Sequence, residues 1–160
     1  MKYEERAAFE QADAFGIGAP NDAYAQYFVG DSFLHPLTDP KECPVYMANV
    51  TFEPGCRNNW HIHHADKGGG QILVCTAGEG VYQEWGKEPQ ILHPGDVVYI
   101  KPGVKHYHGA AADSWFSHIA VECPGENCSN EWCEPVTDEQ YNRCLLYTSN
   151  AADEARSVDL

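Results

Sequence analysis

Residues 55–78, GCRNNWHIHHADKGGGQILVCTAG, and residues 95–108, GDVVYIKPGVKHYH, decide how this chain is read. The first stretch spaces His61, His63, Gln71 and Gly78 behind Gly55; the second places His106 three residues after a Pro102-Gly103 turn. The three histidines and the glutamine fall where a small β-barrel would bring them to a common point, which is the pattern of a metal site. His61 and His63 are two apart, so on a strand both imidazoles leave the same face and can take adjacent positions on one ion. A helix would splay them.

Outward from these stretches the apolar period is two. Strands are expected over 45–53, 57–64, 71–76, 79–85, 90–92, 97–101, 105–109 and 114–122, separated by Pro-Gly, Gly-Gly-Gly and similar breakers. Some eight short strands at regular spacing imply an antiparallel sandwich or barrel, with a jelly roll as the expected form. No long crossover helix interrupts them, which argues against a parallel α/β sheet. Residues 2–15 carry Tyr3, Ala7, Ala8, Ala12 and Phe15 near a 3.6-residue period and predict a short helix. Residues 16–44 read as an arm that packs on something, a second subunit being one candidate. The 45–143 barrel region closes with a helix opened by the capping box Thr137-Asp-Glu-Gln140. Residues 144–160 resemble the translation of a sequencing adapter, with Asn150 where that translation has Asp, and are expected to be a non-native tail outside the fold.

At 160 residues the chain is most simply one domain. Its 10 Lys+Arg against 24 Asp+Glu give a formal charge of −14, which disfavours nucleic acid and anionic membrane surfaces as partners. A charged N-terminus and the lack of a long apolar run make the cytoplasm the expected compartment. Seven cysteines without a CxxC pair favour free thiols over a disulfide framework. Cys123, Cys128 and Cys133 sit in a Pro/Gly/Asn-rich stretch whose spacing fits no common structural zinc pattern.

His108 lies two residues beyond His106, so strand geometry points it into the same cavity, near the ion without being spent on it. His118, Ala120 and Glu122 share one face of the last barrel strand. His64 should face away from His63, and His93 and His35 read as structural. Trp60, Tyr82, Tyr99, Tyr107, Trp115 and Phe116 can line an apolar pocket, although strand aromatics are first of all core; Trp115 and Phe116, being adjacent, cannot both face inward.

The two quoted stretches match the two motifs of the cupin superfamily over about residues 55–108, and the flanking strands extend the resemblance to about 45–122. Val50-Thr-Phe-Glu-Pro-Gly55, Trp60-His61-x-His63, His93-Pro-Gly-Asp-Val-Val98, Pro102-Gly-x-Lys-His106-x-His108-Gly and His118-x-Ala120 resemble the small bacterial cupins with hydroxynitrile lyase activity. They are also similar to the cupins related to carboxymuconolactone decarboxylase-type proteins. The resemblance implies an all-β cupin barrel whose metal ligands are His61, His63, Gln71 and His106. Seven residues separate His63 from Gln71 here, where the lyase-like cupins have three. One divalent transition ion is implied, manganese first, with iron, zinc, nickel or cobalt as alternatives. A neutral amide in place of a carboxylate would leave the ion the stronger Lewis acid. The implied activity is a hydroxynitrile-lyase-like cleavage of a small hydroxy- or carbonyl-bearing molecule, with His108 or His118 moving the proton and Lys105 favouring the departing anion. The resemblance also places His118 in the cavity, with hydrogen-bonded support of the groups around the metal as its competing role. An Fe(II) dioxygenase and a non-catalytic small-molecule binder are the rival readings, and a homodimer is expected.

Overall fold

The computed structural model describes residues 1–143 and Leu146; apart from Leu146, the expected non-native tail lies outside the described residues. Among the described residues, ten strands of three or more residues carry the fold: β1 (Ser32–Pro36), β2 (Met47–Phe52), β3 (His61–His64), β4 (Gln71–Gly78), β5 (Gly80–Glu84), β6 (Gln90–Leu92), β7 (Val97–Ile100), β8 (His106–Ala110), β9 (Phe116–Glu122) and β10 (Ser129–Trp132). They form two antiparallel sheets. One runs Ala19–Pro20, β1, β2, β9, β4, β7; the other runs β6, β5, β8, Arg57–Asn58, Phe28–Val29, with β3 joined to β8 and β10. This is the all-β double sheet expected from the period-two pattern.

The inner faces pack on each other through Phe52, Leu73, Tyr82, Leu92, Ile100 and Phe116, all at 5% exposure or less. Truncating a phenylalanine at such a site costs ~3–5 kcal/mol. The outer faces are covered too. Helix α1 (Arg6–Ala12) lays Phe9 against Ala77 and Trp115 outside the first sheet. The C-terminal segment lays Val136 and Tyr141 against Trp60, Val81 and Tyr107 outside the second. Arg57 fastens that segment, donating to the Val136 carbonyl at 2.9 Å and to the Asp138 carboxylate at 2.6 Å. Trp115 and Phe116 accordingly face opposite ways, one under α1 and one in the core.

Where the strands depart from the expected bounds the cause is local. β4 runs on to Gly78 because Ser117 pairs with Ala77 while His118 pairs with Cys75. The extra residue, Thr76, is a bulge that turns Cys75 inward and Ala77 outward, a change of face that ends a strict alternation in the sequence. The helix expected over 2–15 is only Arg6–Ala12, because Glu5 makes no side-chain cap and Tyr3 is committed to backbone bonds with Ser114 and Trp115. The arm is not free either: β1 pairs along β2 of its own chain, and Asn49 ties the sheet to Asp13 and the Gly16 carbonyl. Residues 138–143 are helical, as the capping box implies, with Gln140 and Thr137 exchanging the two reciprocal bonds. Among the described residues no helix is long and apolar enough to cross a membrane.

Candidate metal centre and its cavity

β3 and β8 lie side by side with His61 directly opposite His106. Strand alternation sends His61, His63 and His106 to one face. Their rings meet there: one nitrogen from each lies within 4.8 Å of the others, and all three side chains are buried. Every Nδ1 is held by an oxygen. His61 bonds to the Asn59 carbonyl at 2.8 Å, His106 to the Val104 carbonyl at 2.9 Å, and His63 to Asn130 Oδ1 at 2.7 Å. An oxygen acceptor at Nδ1 fixes the proton there and leaves the Nε2 lone pair bare. The Nε2 atoms of His63 and His106 are buried without any hydrogen-bond partner. Each such orphan costs ~1–3 kcal/mol, a cost relieved when a cation takes the lone pair. The donor set therefore fits a divalent transition ion.

Burial holds His61 well below the ordinary imidazole range, helped by His106 and His63. Burial likewise brings His106 down to about 4, against an upward pull from its bond to Val104. Neutral rings are the form a metal requires.

Gln71 opens β4 and is the cross-strand neighbour of Glu122 on β9. Its Nε2 donates to Glu122 Oε1, while its own Oε1 is buried with no partner. The extra loop length before it does not displace it. Lys67–Gly68 pairs with Gly125–Glu126 as a small side ribbon. Gly68, Gly69 and Gly70 then return the chain at positive φ. At Gly70 a Cβ would stand 2.4 Å from the Ile100 carbonyl oxygen, so only glycine fits.

Deeper in the cavity His108 Nδ1 lies 3.1 Å from His118 Nε2, a hydrogen bond that bridges the two sheets. Asn58 clamps His108 from the other side, its Nδ2 3.1 Å from Nε2 and its Oδ1 accepting the His108 backbone N–H. With Asn58 donating to Nε2, the neutral ring carries its proton on Nδ1 and offers it to His118. Burial pushes His108 well below the usual range, with His118 adding to the effect. It brings His118 to about 4, partly offset by a backbone bond at Ile119.

Other expected residues lie elsewhere. Lys105 precedes His106 and so faces outward, where it pairs with Glu134 at 2.6 Å and stands over the Trp85 ring, away from the cavity. The role expected for it as partner of a departing anion is corrected accordingly. His64 is exposed and bonds to Glu131, and His93 is exposed beside Glu79, as strand parity and the turn implied. Among the described residues Cys43, Cys56, Cys75, Cys123, Cys128 and Cys133 are free thiols.

The cavity beside the histidines has a volume of about 180 Å³, a size for a small organic molecule rather than a drug-sized one. Its aromatic wall is not drawn from Trp60, Tyr82, Tyr99, Tyr107, Trp115 or Phe116. It comes from Tyr24, Phe28, Tyr46 and Trp132. Trp132 stacks on Tyr27 with centroids 4.5 Å apart and sits 4.8 Å from His61. Asn58, Asn130 and Trp132 are cavity-lining residues that sequence reasoning missed.

Residues 48–121 match the family model described as "Cupin domain". Over 129 residues the chain is 42% identical to the (R)-mandelonitrile lyase of Granulicella tundricola, a match covering 80% of this chain and 95% of that protein. A crystal structure of a cupin-like protein from Thermotoga maritima aligns with a TM-score of 0.72 and 38% identity, over 82% of this chain and 96% of that one. A cupin 2 conserved barrel domain protein from Rhodopseudomonas palustris, at 16% identity and a TM-score of 0.58 over 76% of this chain and 78% of that one, shares the fold.

Proposed function

The chain belongs to the cupin superfamily, and within it we propose a metal-dependent lyase that cleaves small cyanohydrins, or forms them in reverse, with an aromatic cyanohydrin such as mandelonitrile as the substrate to test first. The observation that carries this reading is the juxtaposition of two histidine sets: three converging rings, two of them with a bare Nε2 lone pair, and a neutral hydrogen-bonded pair beside them. Similarity to a mandelonitrile lyase supports the choice of reaction.

In this reading His61, His63, His106 and Gln71 hold one divalent ion, with manganese proposed. When bound, it supplies Lewis acidity toward the substrate oxygen. The chain itself moves the proton. The substrate hydroxyl gives its proton to His108 Nε2 in place of the Asn58 amide, and the Nδ1 proton passes to His118 Nε2 through the 3.1 Å bond. The oxygen's electron pair becomes the second bond of the carbonyl, the bond to the nitrile carbon breaks, and its electrons leave on cyanide. The buried pair binds the proton weakly and returns it to cyanide, giving aldehyde and hydrogen cyanide. Tyr24, Phe28, Tyr46 and Trp132 supply the surface for the substrate ring and keep water from it.

Cyanide release from mandelonitrile by manganese-loaded protein is the test. Turnover that disappears on chelation and returns with the ion is expected. A fully loaded protein that releases no cyanide from any aryl or alkyl cyanohydrin would end the reading, and iron content with oxygen uptake would replace it with the dioxygenase.

A further inference from the structure

A glutamine is an ambiguous ligand, because its amide has one end that binds a cation and one that repels it. Only Oε1 carries lone pairs; the NH₂ end is donor-only. Whatever orients the amide therefore decides whether Gln71 can serve. On the β4–β9 ladder Gln71 stands directly opposite Glu122, and both side chains reach the cavity. Glu122 accepts from Gln71 Nε2. Reversed, the amide would set its oxygen against the carboxylate oxygen, a repulsive contact, so the acceptor selects one of two rotamers. The selected rotamer leaves Oε1 turned from Glu122, buried and without a partner.

We propose that Glu122 is a positioning residue for the metal centre, whose carboxylate locks the Gln71 amide with its oxygen toward the three histidines. The inference rests on the reading of this cavity as a metal site, not on any substrate. The lock has the same logic as the oxygens that hold Nδ1 of His61, His63 and His106: each of the four donor side chains has its non-ligating end tied down.

Metal affinity, measured by chelator competition on the full chain without substrate, tests the lock. Glu122→Leu removes the acceptor and is expected to weaken binding ~10–100-fold. Glu122→Gln keeps an acceptor without the charge and is expected to bind close to the unaltered protein. In a Gln71→Ala background, Glu122→Leu should cost nothing further, because Glu122 acts through Gln71. The visible spectrum of the cobalt-loaded protein should change in Glu122→Leu and in Gln71→Ala alike, and stay in Glu122→Gln. Thermal unfolding of each metal-free variant separates a folding defect from a loss of the ligand. Equal losses for Glu122→Leu with and without Gln71 would overturn the proposal, as would a Glu122→Gln variant as weak as Glu122→Leu. Those results leave the metal site itself standing; an unaltered chain that binds no ion at all would remove both.

Discussion

Five buried histidines converge on the cavity, and the same side chain has two different surroundings there. In His61, His63 and His106 every Nδ1 is tied to a backbone or amide oxygen and Nε2 of two of them is bare. In His108 and His118 the rings bond to each other, and Asn58 takes the remaining nitrogen of His108. Burial lowers the basicity of His61 and His106 in the first set and of His108 and His118 in the second. What separates them is the partner of the second nitrogen. An oxygen acceptor makes a fixed donor for an ion, and another imidazole makes a path for a proton.

The largest effect should come from crossing that divide. His106→Ala is expected to abolish stoichiometric metal and all turnover, whereas His108→Ala keeps the metal and loses ~10²–10⁴-fold in kcat. Elemental analysis beside a cyanide-release assay reads both, and metal loss in both variants would erase the distinction. Asn130→Ala, which frees Nδ1 of His63, should weaken metal binding ~10–100-fold in a chelator competition while leaving His108 and His118 hydrogen-bonded. Unchanged affinity would mean that the amide does not orient the ligand.

The smallest effect concerns pH and the metal-free protein. His118 titrates near 4 in the fold and near 6.5 when unfolded, so between those values the unfolded chain binds a proton that the native chain refuses. Its contribution to stability is complete above about 6.5 and is lost as pH falls toward 4, at about 1.4 kcal/mol per pH unit for one proton. Urea unfolding at pH 7, 6 and 5 should show this slope, and His118→Leu should flatten it by about one proton. A slope identical in the variant would place the titrating groups elsewhere.

Much of the site is written in spacing. His61 and His63 at i and i+2, His106 and His108 at i and i+2, and His118, Ala120 and Glu122 on one strand face follow from strand parity alone; all but His106 line the cavity, and His106 meets His61 and His63 at the candidate metal centre. Parity also placed His64 outside, and applied to Lys105 it predicts the outward position that the structure gives it. Residues whose role depends on a neighbour distant in sequence were not legible. Asn130 matters because β10 pairs with β3, opposite His63. Phe28 and Tyr24 matter because the arm folds back along its own sheet.

The sequence by itself determined the all-β double sheet and which histidines share a face, since a period of two is a property of any extended chain and needs no knowledge of what lies opposite. Only the tertiary structure decided which nitrogen of each ring is free, which aromatics line the cavity, and that Gln71 meets Glu122. Those depend on strand register and on contacts between residues far apart in the chain, such as His63 and Asn130, 67 positions apart. Hydrogen bonds act over a single contact distance, and a linear pattern does not encode which contacts the folded chain will close.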